Sequence, residues 1–288
     1  IHINYEEFEY YMLNKPKGYI SATEDNIHKT SGIIIITGPT WSWKTTTLYT
    51  TLKKLNDGTK KIITLEDPIE YKIAGLQQSQ INYDKGYDYE TGFKAILRQD
   101  PDIILVGETR TKETAQIAIN ASLTGHLVFT TLHTNSVFES LSRLMNMGIE
   151  PYLLTPALQL LLGQRLVRKV CPHCGKWDEA SAEEDMEIRK KLTEIQQTHP
   201  ELGTNYQGKI FRWNGCEHCN NSGYLGRIAI LEILEINDEI RAKLMSGMQG
   251  DNLLPLAKSF GFISMQEDWI LKVVEGITDL KELHRVLY

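Results

Sequence analysis

The sequence has no run of roughly eighteen apolar residues, the least that a membrane-crossing helix requires. Gly32-Ile33-Ile34-Ile35-Ile36-Thr37 is strand-sized, and the stretch from Leu153 to Leu162 is broken by Thr155, Pro156 and Gln159. An excess of positive charge is also missing. The formal net charge is -6, which gives no electrostatic case for a nucleic-acid surface, and no nucleic acid is expected as a partner. No basic and apolar leader opens the chain: Ile1 is followed by the acidic, aromatic Tyr5-Glu6-Glu7-Phe8-Glu9-Tyr10-Tyr11, so the expectation is a fragment of a longer cytoplasmic protein. Internal repeats and low-complexity tracts are absent. Cysteine is scarce, with 4 in 288 residues, and all of it falls in two CxxC pairs, Cys171/Cys174 and Cys216/Cys219. In a cytosolic chain that pairing favours metal over disulfides.

What is present is an ordinary balance of 41% hydrophobic and 24% charged residues, enough for one large core or two modest ones, with two domains expected. Short apolar runs alternate with amphipathic stretches between Ile33 and Thr134, which predicts an α/β parallel sheet. Strands are expected over 33–37, 61–65, 103–106 and 127–131. Helices are expected over 44–55, 89–99, 112–123 and 137–147. After Pro151 a helix is predicted through Leu162, then an insert from Cys171 to Cys219, a strand over 226–236, and three or four short helices from Asn237. The charged stretch 180–202 reads as a solvated helix. In open α/β sheets the ligand lies beyond the carboxyl ends of the strands, so the strand endings are where chemistry is sought.

Gly38-Pro39-Thr40-Trp41-Ser42-Trp43-Lys44-Thr45-Thr46 follows the first strand and opens a helix, the context of a phosphate-binding loop. Such a loop turns successive main-chain N–H groups toward the phosphates, with Lys44 reaching the terminal ones and Thr45 binding Mg²⁺. The fingerprint has glycine before the lysine, yet Trp43 stands there, and Trp41 occupies the place of a second glycine. A residue other than glycine held in a left-handed conformation costs roughly 1–2 kcal/mol. Two indoles beside a triphosphate pocket add obstruction, so weakened or lost nucleotide binding is expected. The alternative for this segment is a plain strand-to-helix turn with buried tryptophans.

The second strand ends in Thr64-Leu65-Glu66-Asp67-Pro68-Ile69-Glu70-Tyr71, which places three carboxylates where a water could be oriented or deprotonated. Glu70 is the first candidate base and Glu66 the second; a turn-capping role is the alternative. The third strand runs into Gly107-Glu108-Thr109-Arg110, a Walker B-like element with glycine for the usual aspartate. Glu108 is a candidate Mg²⁺ acid through water, and Arg98 and Arg110 are candidates for phosphate or an adjoining subunit, or for internal ion pairs. His133 ends the fourth strand as a candidate γ-phosphate sensor.

Taken in order, GPTxSxKTTTLY at Gly38 to Tyr49, TLEDPIEY at Thr64 to Tyr71, LRQDPDIILVGETR at Leu97 to Arg110, TGHLVFTTLHTN at Thr124 to Asn135 and GQRLVRKVCPHCG at Gly163 to Gly175 make the chain resemble the type II secretion and type IV pilus assembly ATPases, hexamers of the additional-strand P-loop branch. The resemblance covers most of the chain from Gly32 onward. It implies a RecA-like α/β P-loop core with a parallel sheet, a zinc-binding insert and a small helical C-terminal region. It gives Lys44 and Thr45 the Walker A roles, Glu66, Asp67 and Glu70 the Asp box with Glu70 as base, Glu108 the Walker B acid and His133 the His box; Gly107 is normal for that family. The domain expectation is 1–30 as a remnant of an N-terminal domain or linker, 31–165 as the ATPase core, 166–225 as the zinc module and 226–288 as the C-terminal region. The cofactors implied are ATP, Mg²⁺ and Zn²⁺. The partners implied are a homo-hexamer, an inner-membrane platform protein and other secretion or pilus components, with peripheral association at the cytoplasmic face of the bacterial inner membrane.

A tetrahedral Cys₄ zinc site needs nothing beyond Cys171, Cys174, Cys216 and Cys219, and His173 and His218 inside the pairs are not expected as ligands. The segment between the pairs is too long for a compact zinc ribbon. By the resemblance, four cysteines mark extension rather than retraction motors and order a surface for the platform protein. Two other readings stay beside the motor: a catalytically impaired subunit or interaction module that keeps the fold, and a nucleic-acid motor, which the acidic charge disfavours.

Overall fold

The computed structural model describes residues 29–248 and 250–287. Its main sheet follows the order β3-β2-β4-β5-β1-β6-β9, built from β1 (Gly32–Thr37), β2 (Ile62–Glu66), β3 (Gln77–Gln80), β4 (Ile103–Val106), β5 (Leu127–Leu132), β6 (Leu158–Val170) and β9 (Tyr224–Glu235). β1 runs parallel to β5 and β6, while β2 runs parallel to β3 and β4, and β4 to β5. Every residue of β1, β2, β4 and β5 is buried. That is why these strands read as mainly apolar runs, interrupted by Thr64 in β2 and Thr130-Thr131 in β5: crossover helices cover both faces of a parallel sheet. The crossovers are α1 (Lys44–Leu55), α2 (Tyr89–Leu97) and α3 (Lys112–Leu123), followed by α4 (Val137–Asn146) and α5 (Pro151–Ala157). Asp88, Thr111 and Ser136 cap α2, α3 and α4, each side-chain oxygen accepting from a main-chain N–H three residues on.

The predicted helix through Leu162 is corrected here. α5 stops at Ala157, Leu158 turns extended (φ -74°, ψ 127°), and the chain becomes β6. Leu158, Leu160, Leu161 and Leu162 align against Ile33–Ile36 of β1 and are at most 2% exposed. A short buried apolar run fits helix or strand equally well, and here pairing with β1 decided it. The edge strand β3 was not expected at all, because Gln77-Gln78-Ser79-Gln80 carries no apolar signal.

The described residues form two compact units. One comprises the residues up to Thr40, Lys44–Gly163 and Ile233–Leu256; it holds most of the parallel sheet together with α7 (Asp238–Met245). The other comprises Trp41–Trp43, Gln164–Glu232 and the residues from Ala257 onward. It holds the hairpin β7 (Gly175–Glu179) and β8 (Lys209–Trp213), the helix α6 (Ala182–Gln196), and the late helices α9 (Met265–Val274) and α10 (Leu280–Leu287). α8 (Leu254–Ser259) lies across the division in sequence. α6 is not the purely solvated helix its charge suggested, since Ile188, Leu192 and Ile195 form a buried stripe. Residues 1–28, where the N-terminal remnant was expected, lie outside the described residues.

In the second unit α10 is held by a buried carboxylate. Glu282, fully buried, accepts from the Arg168 N–H (2.9 Å) and Nε (2.7 Å) and from Arg285 Nε (2.9 Å) and Nη2 (2.7 Å). Burial alone would raise its pKa, but the hydrogen bonds from Arg285 and Arg168 outweigh it and bring it from 4.5 down to about 2. A depressed carboxylate stabilises the fold above its unfolded pKa and loses that contribution as pH falls from 4.5 through 2. Glu282→Gln is therefore expected to lower the denaturation midpoint at pH 7 and to narrow the gap from the parent chain at pH 3, as read in parallel chemical melts.

Candidate functional site

Because the paired strands of the first unit run parallel, Thr37, Glu66, Val106 and Leu132 all end at one edge of the sheet. The loops leaving that edge carry most of the sequence-predicted site residues. In the phosphate loop, Trp41 and Trp43 lie at φ 69° and 63°, the left-handed region that the glycine fingerprint anticipates. The alternative of buried tryptophans does not hold for Trp41, which is 86% exposed. Ser42 is buried, and its carbonyl accepts from Gln164 Nε2 at 2.6 Å. Gly38 is buried, Pro39 and Thr40 are exposed, and Thr45 and Thr46 sit half-buried in the first turn of α1.

Lys44 opens α1 with its ammonium folded back onto the loop, donating to the carbonyls of Gly38 (2.8 Å) and Pro39 (2.9 Å). Burial lowers its pKa to about 8. A cation thus sits within the cradle where phosphate oxygens are expected.

After β2, the carboxylates separate by environment. Glu66 is buried, 3% exposed, with Oε2 accepting from the Tyr49 hydroxyl and Oε1 from Thr64 Oγ1 (2.5 Å) and Gln78 Nε2 (3.2 Å). Asp67 and Glu70, three residues apart in the following loop, are exposed. A carboxylate with both oxygens engaged by neutral donors inside the protein is poorly placed to take a proton from water, whereas Glu70 is open to it.

Gly107 follows β4 and donates its N–H to Leu65 O at 2.7 Å. A Cβ built on it would lie 3.0 Å from the Tyr89 hydroxyl and 3.1 Å from Leu65 O. A side chain at 107 would have to displace these groups, and the acidic residue of this stretch is the next one, Glu108. Glu108 forms an ion pair with Arg110 and a 3.0 Å contact with His133 Nε2. His133 is held below its ordinary pKa, first by burial and then by the charges of Lys44 and Arg110. A carboxylate can only accept, so a neutral His133 donates from Nε2. Thr131 Oγ1 donates to Gly107 O (2.7 Å) and Thr109 Oγ1 meets Thr130 Oγ1 (2.8 Å), stitching the ends of β4 and β5. The structure brings Glu108, Arg110 and His133 into contact, with Lys44 near enough for its charge to act on His133. It does not bring in Arg98, an exposed residue capping the C-terminus of α2.

The second unit carries the four cysteines, whose sulfurs all lie within 4.8 Å of one another. Cys171–Cys216, Cys174–Cys219 and Cys216–Cys219 are 3.8, 3.9 and 3.7 Å apart. A tetrahedron with Zn–S bonds of about 2.3 Å has edges of about 3.8 Å, so the donor set fits zinc. Burial opposes ionisation of Cys219, but the main-chain N–H groups of Cys216 (3.2 Å) and Gly223 (3.3 Å) prevail and hold its thiol below the usual range. His173 and His218 stack on each other, ring centres 4.2 Å apart, outside this donor set.

A sequence profile described as "Type II/IV secretion system protein" matches residues 4–285. The chain belongs to this family. Among family relatives, type II secretion system protein E of Dickeya dadantii is 46% identical over 262 residues, covering 90% of this chain and 49% of that protein. The type IV pilus assembly ATPase PilB of Thermus thermophilus is 40% identical over 270 residues, covering 92% and 29%. The chain thus spans half or less of these relatives' length. In solved structures, the Legionella pneumophila ATPase DotB aligns with a TM-score of 0.64 at 23% identity, covering 95% of this chain and 63% of that one. The pilus retraction motor PilT with bound ADP aligns at 0.58 and 24%, covering 99% and 70%. These two establish the fold, the RecA-like α/β core that the motifs implied. Sequence reasoning missed Tyr49, Thr64, Gln78 and Gln164, all but Gln78 within the motifs that carry the resemblance. The first three converge only once cross-strand register is known, which linear spacing does not disclose.

Proposed function

We propose that this chain is the ATP-hydrolysing motor portion of a type II secretion or type IV pilus assembly ATPase, working as a homo-hexamer at the cytoplasmic face of the bacterial inner membrane. The observation that carries this reading is the meeting of Lys44, Glu108, Arg110 and His133 at the carboxyl edge of one parallel sheet, with Glu70 on the adjoining loop. The kinship with proteins named for secretion and pilus assembly supplies the biological setting.

In this reading the loop amides and Lys44 hold the polyphosphate, with Thr46 and Arg110 beside it. Thr45 and Glu108 would hold Mg²⁺, which when bound neutralises charge on the β- and γ-oxygens. Glu70 orients and deprotonates water; His133, a neutral donor, reports the γ-phosphate through Glu108. Glu66 keeps a positioning role, and Arg98 is left to an adjoining subunit. The division into an ATPase core over 31–165, a zinc module over 166–225 and a C-terminal region over 226–288 is part of the proposal. So is the zinc, ordering a surface for a membrane platform protein. The left-handed φ values of Trp41 and Trp43 favour one qualification: the chain as it stands turns over slowly or not at all.

The test is Glu70→Gln made in the chain carrying Trp41→Gly and Trp43→Gly. Phosphate release should fall roughly 10²- to 10⁴-fold with KM for ATP little changed. A loss under about tenfold removes Glu70 from the chemistry.

A further inference from the structure

The residue proposed as base sits on a loop with little scaffolding of its own. From Asp67 to Leu76 the chain forms neither helix nor strand, and Glu70 is exposed. A base with that much freedom would present its carboxylate in many orientations, and a small misplacement costs catalysis heavily. Side chains anchor the loop instead. Register places Gln78 of β3 opposite Thr64 of β2, and alternation puts Thr64 and Glu66 on the same face of the sheet.

The Gln78 carboxamide uses that position fully. Its Oε1 accepts from the Ile73 N–H at 2.8 Å; its Nε2 donates to Tyr71 O at 3.1 Å and to Glu66 Oε1 at 3.2 Å. Glu66 in turn accepts from Tyr49 of α1, whose hydroxyl lies 3.5 Å from Gln78 Nε2. The Tyr71 carbonyl and the Ile73 amide, one and three residues after Glu70, are therefore tied to an edge-strand carboxamide that also holds the buried Glu66 carboxylate. Further along, Asn56 Nδ2 holds Ala74 O at 2.8 Å, well past the base.

We propose that Gln78 is a positioning residue for the catalytic base: its side chain serves the loop as a substitute strand neighbour and fixes the direction in which Glu70 points. The claim rests on the reading of Glu70 given above. It assigns the polar edge strand a purpose that its sequence alone did not reveal, and it gives the buried Glu66 a task other than chemistry.

Gln78→Met keeps length and removes every hydrogen bond. Hydrogen exchange on the unaltered chain and on this variant should show the Ile73 amide exchanging about 10- to 100-fold faster, with β1 and β5 amides unchanged. If Gln78→Met does not fold, Gln78→Asn, one methylene too short to reach Ile73, takes its place in the same measurement. In the Trp41→Gly, Trp43→Gly chain, Gln78→Met should lower kcat for ATP at least tenfold at nearly constant KM, yet cost nothing further when added to Glu70→Gln. Unchanged exchange at Ile73 overturns the proposal. So does a kcat loss that is equally large with and without Glu70, since Gln78 would then act on something else. A glycine-restored chain that turns over no ATP, or whose Glu70→Gln variant keeps full activity, sinks the reading of the site instead. The exchange result then judges the loop anchor alone.

Discussion

The Trp41→Gly, Trp43→Gly chain is expected to take up ATP or ADP at least about 100-fold more tightly than the unaltered protein, equivalent to about 2.7 kcal/mol. Two separate gains are expected, the first in stability and the second in affinity. Both tryptophans hold positive φ angles, 69° and 63°, where a Cβ is strained by roughly 1–2 kcal/mol per residue. Glycine removes that strain, less about 0.5–1 kcal/mol for the greater freedom of its unfolded chain. The second term is access: phosphate oxygens must approach main-chain amides closely, and a bare glycine permits what a Cβ and an indole obstruct. Calorimetric titration with MgADP checks the affinity, and a thermal melt checks the strain. Equal affinity in the two proteins would show that the indoles do not obstruct the cradle.

The second large effect concerns the cysteine cluster. Purified chain should carry one zinc per protomer, and a strong chelator should release it with loss of structure confined to the second unit. Structural zinc binds with apparent energies of ~10 kcal/mol or more at neutral pH, and that energy is coupled to folding of the segments it joins. The cluster ties the end of β6 to the loop before β9 through Cys171, whose N–H donates to Gly223 O at 2.9 Å. It also meets the hairpin β7–β8, since Gly175 N–H donates to Cys171 O at 2.9 Å. Amides of β7 and β8 should lose at least about 100-fold of their exchange protection after chelation or in Cys216→Ser, while β1 and β5 keep theirs. Metal-free protein with unchanged β7 and β8 protection would demote the cluster to four packed thiols.

Much of this was legible beforehand, for reasons that differ by element. Strands β1, β2, β4 and β5 announced themselves because a doubly covered parallel sheet asks for short, mainly apolar runs. The loop glycine fingerprint anticipated where backbone strain falls, and Trp41 and Trp43 carry it. The hidden parts depend on what lies next to a segment. β6 carries the same leucines a buried helix would, and β3 is polar because its task is to offer an amide rather than to fill a core. Glu66 and Glu70 looked alike in sequence; Tyr49, Thr64 and Gln78 separate them, and those residues meet only in three dimensions.

In the proposed site, the inward turn of Lys44 makes nucleotide uptake partly an exchange. Its ammonium already gives two of its three N–H donors to the Gly38 and Pro39 carbonyls, so an arriving phosphate meets one open donor and gains the other two only by displacing those carbonyls. For each donor exchanged in this way the net gain is only the difference between a charged and a neutral acceptor. Most of the grip must come from peptide dipoles along the loop, so the chain's affinity is governed by how freely its backbone can be approached.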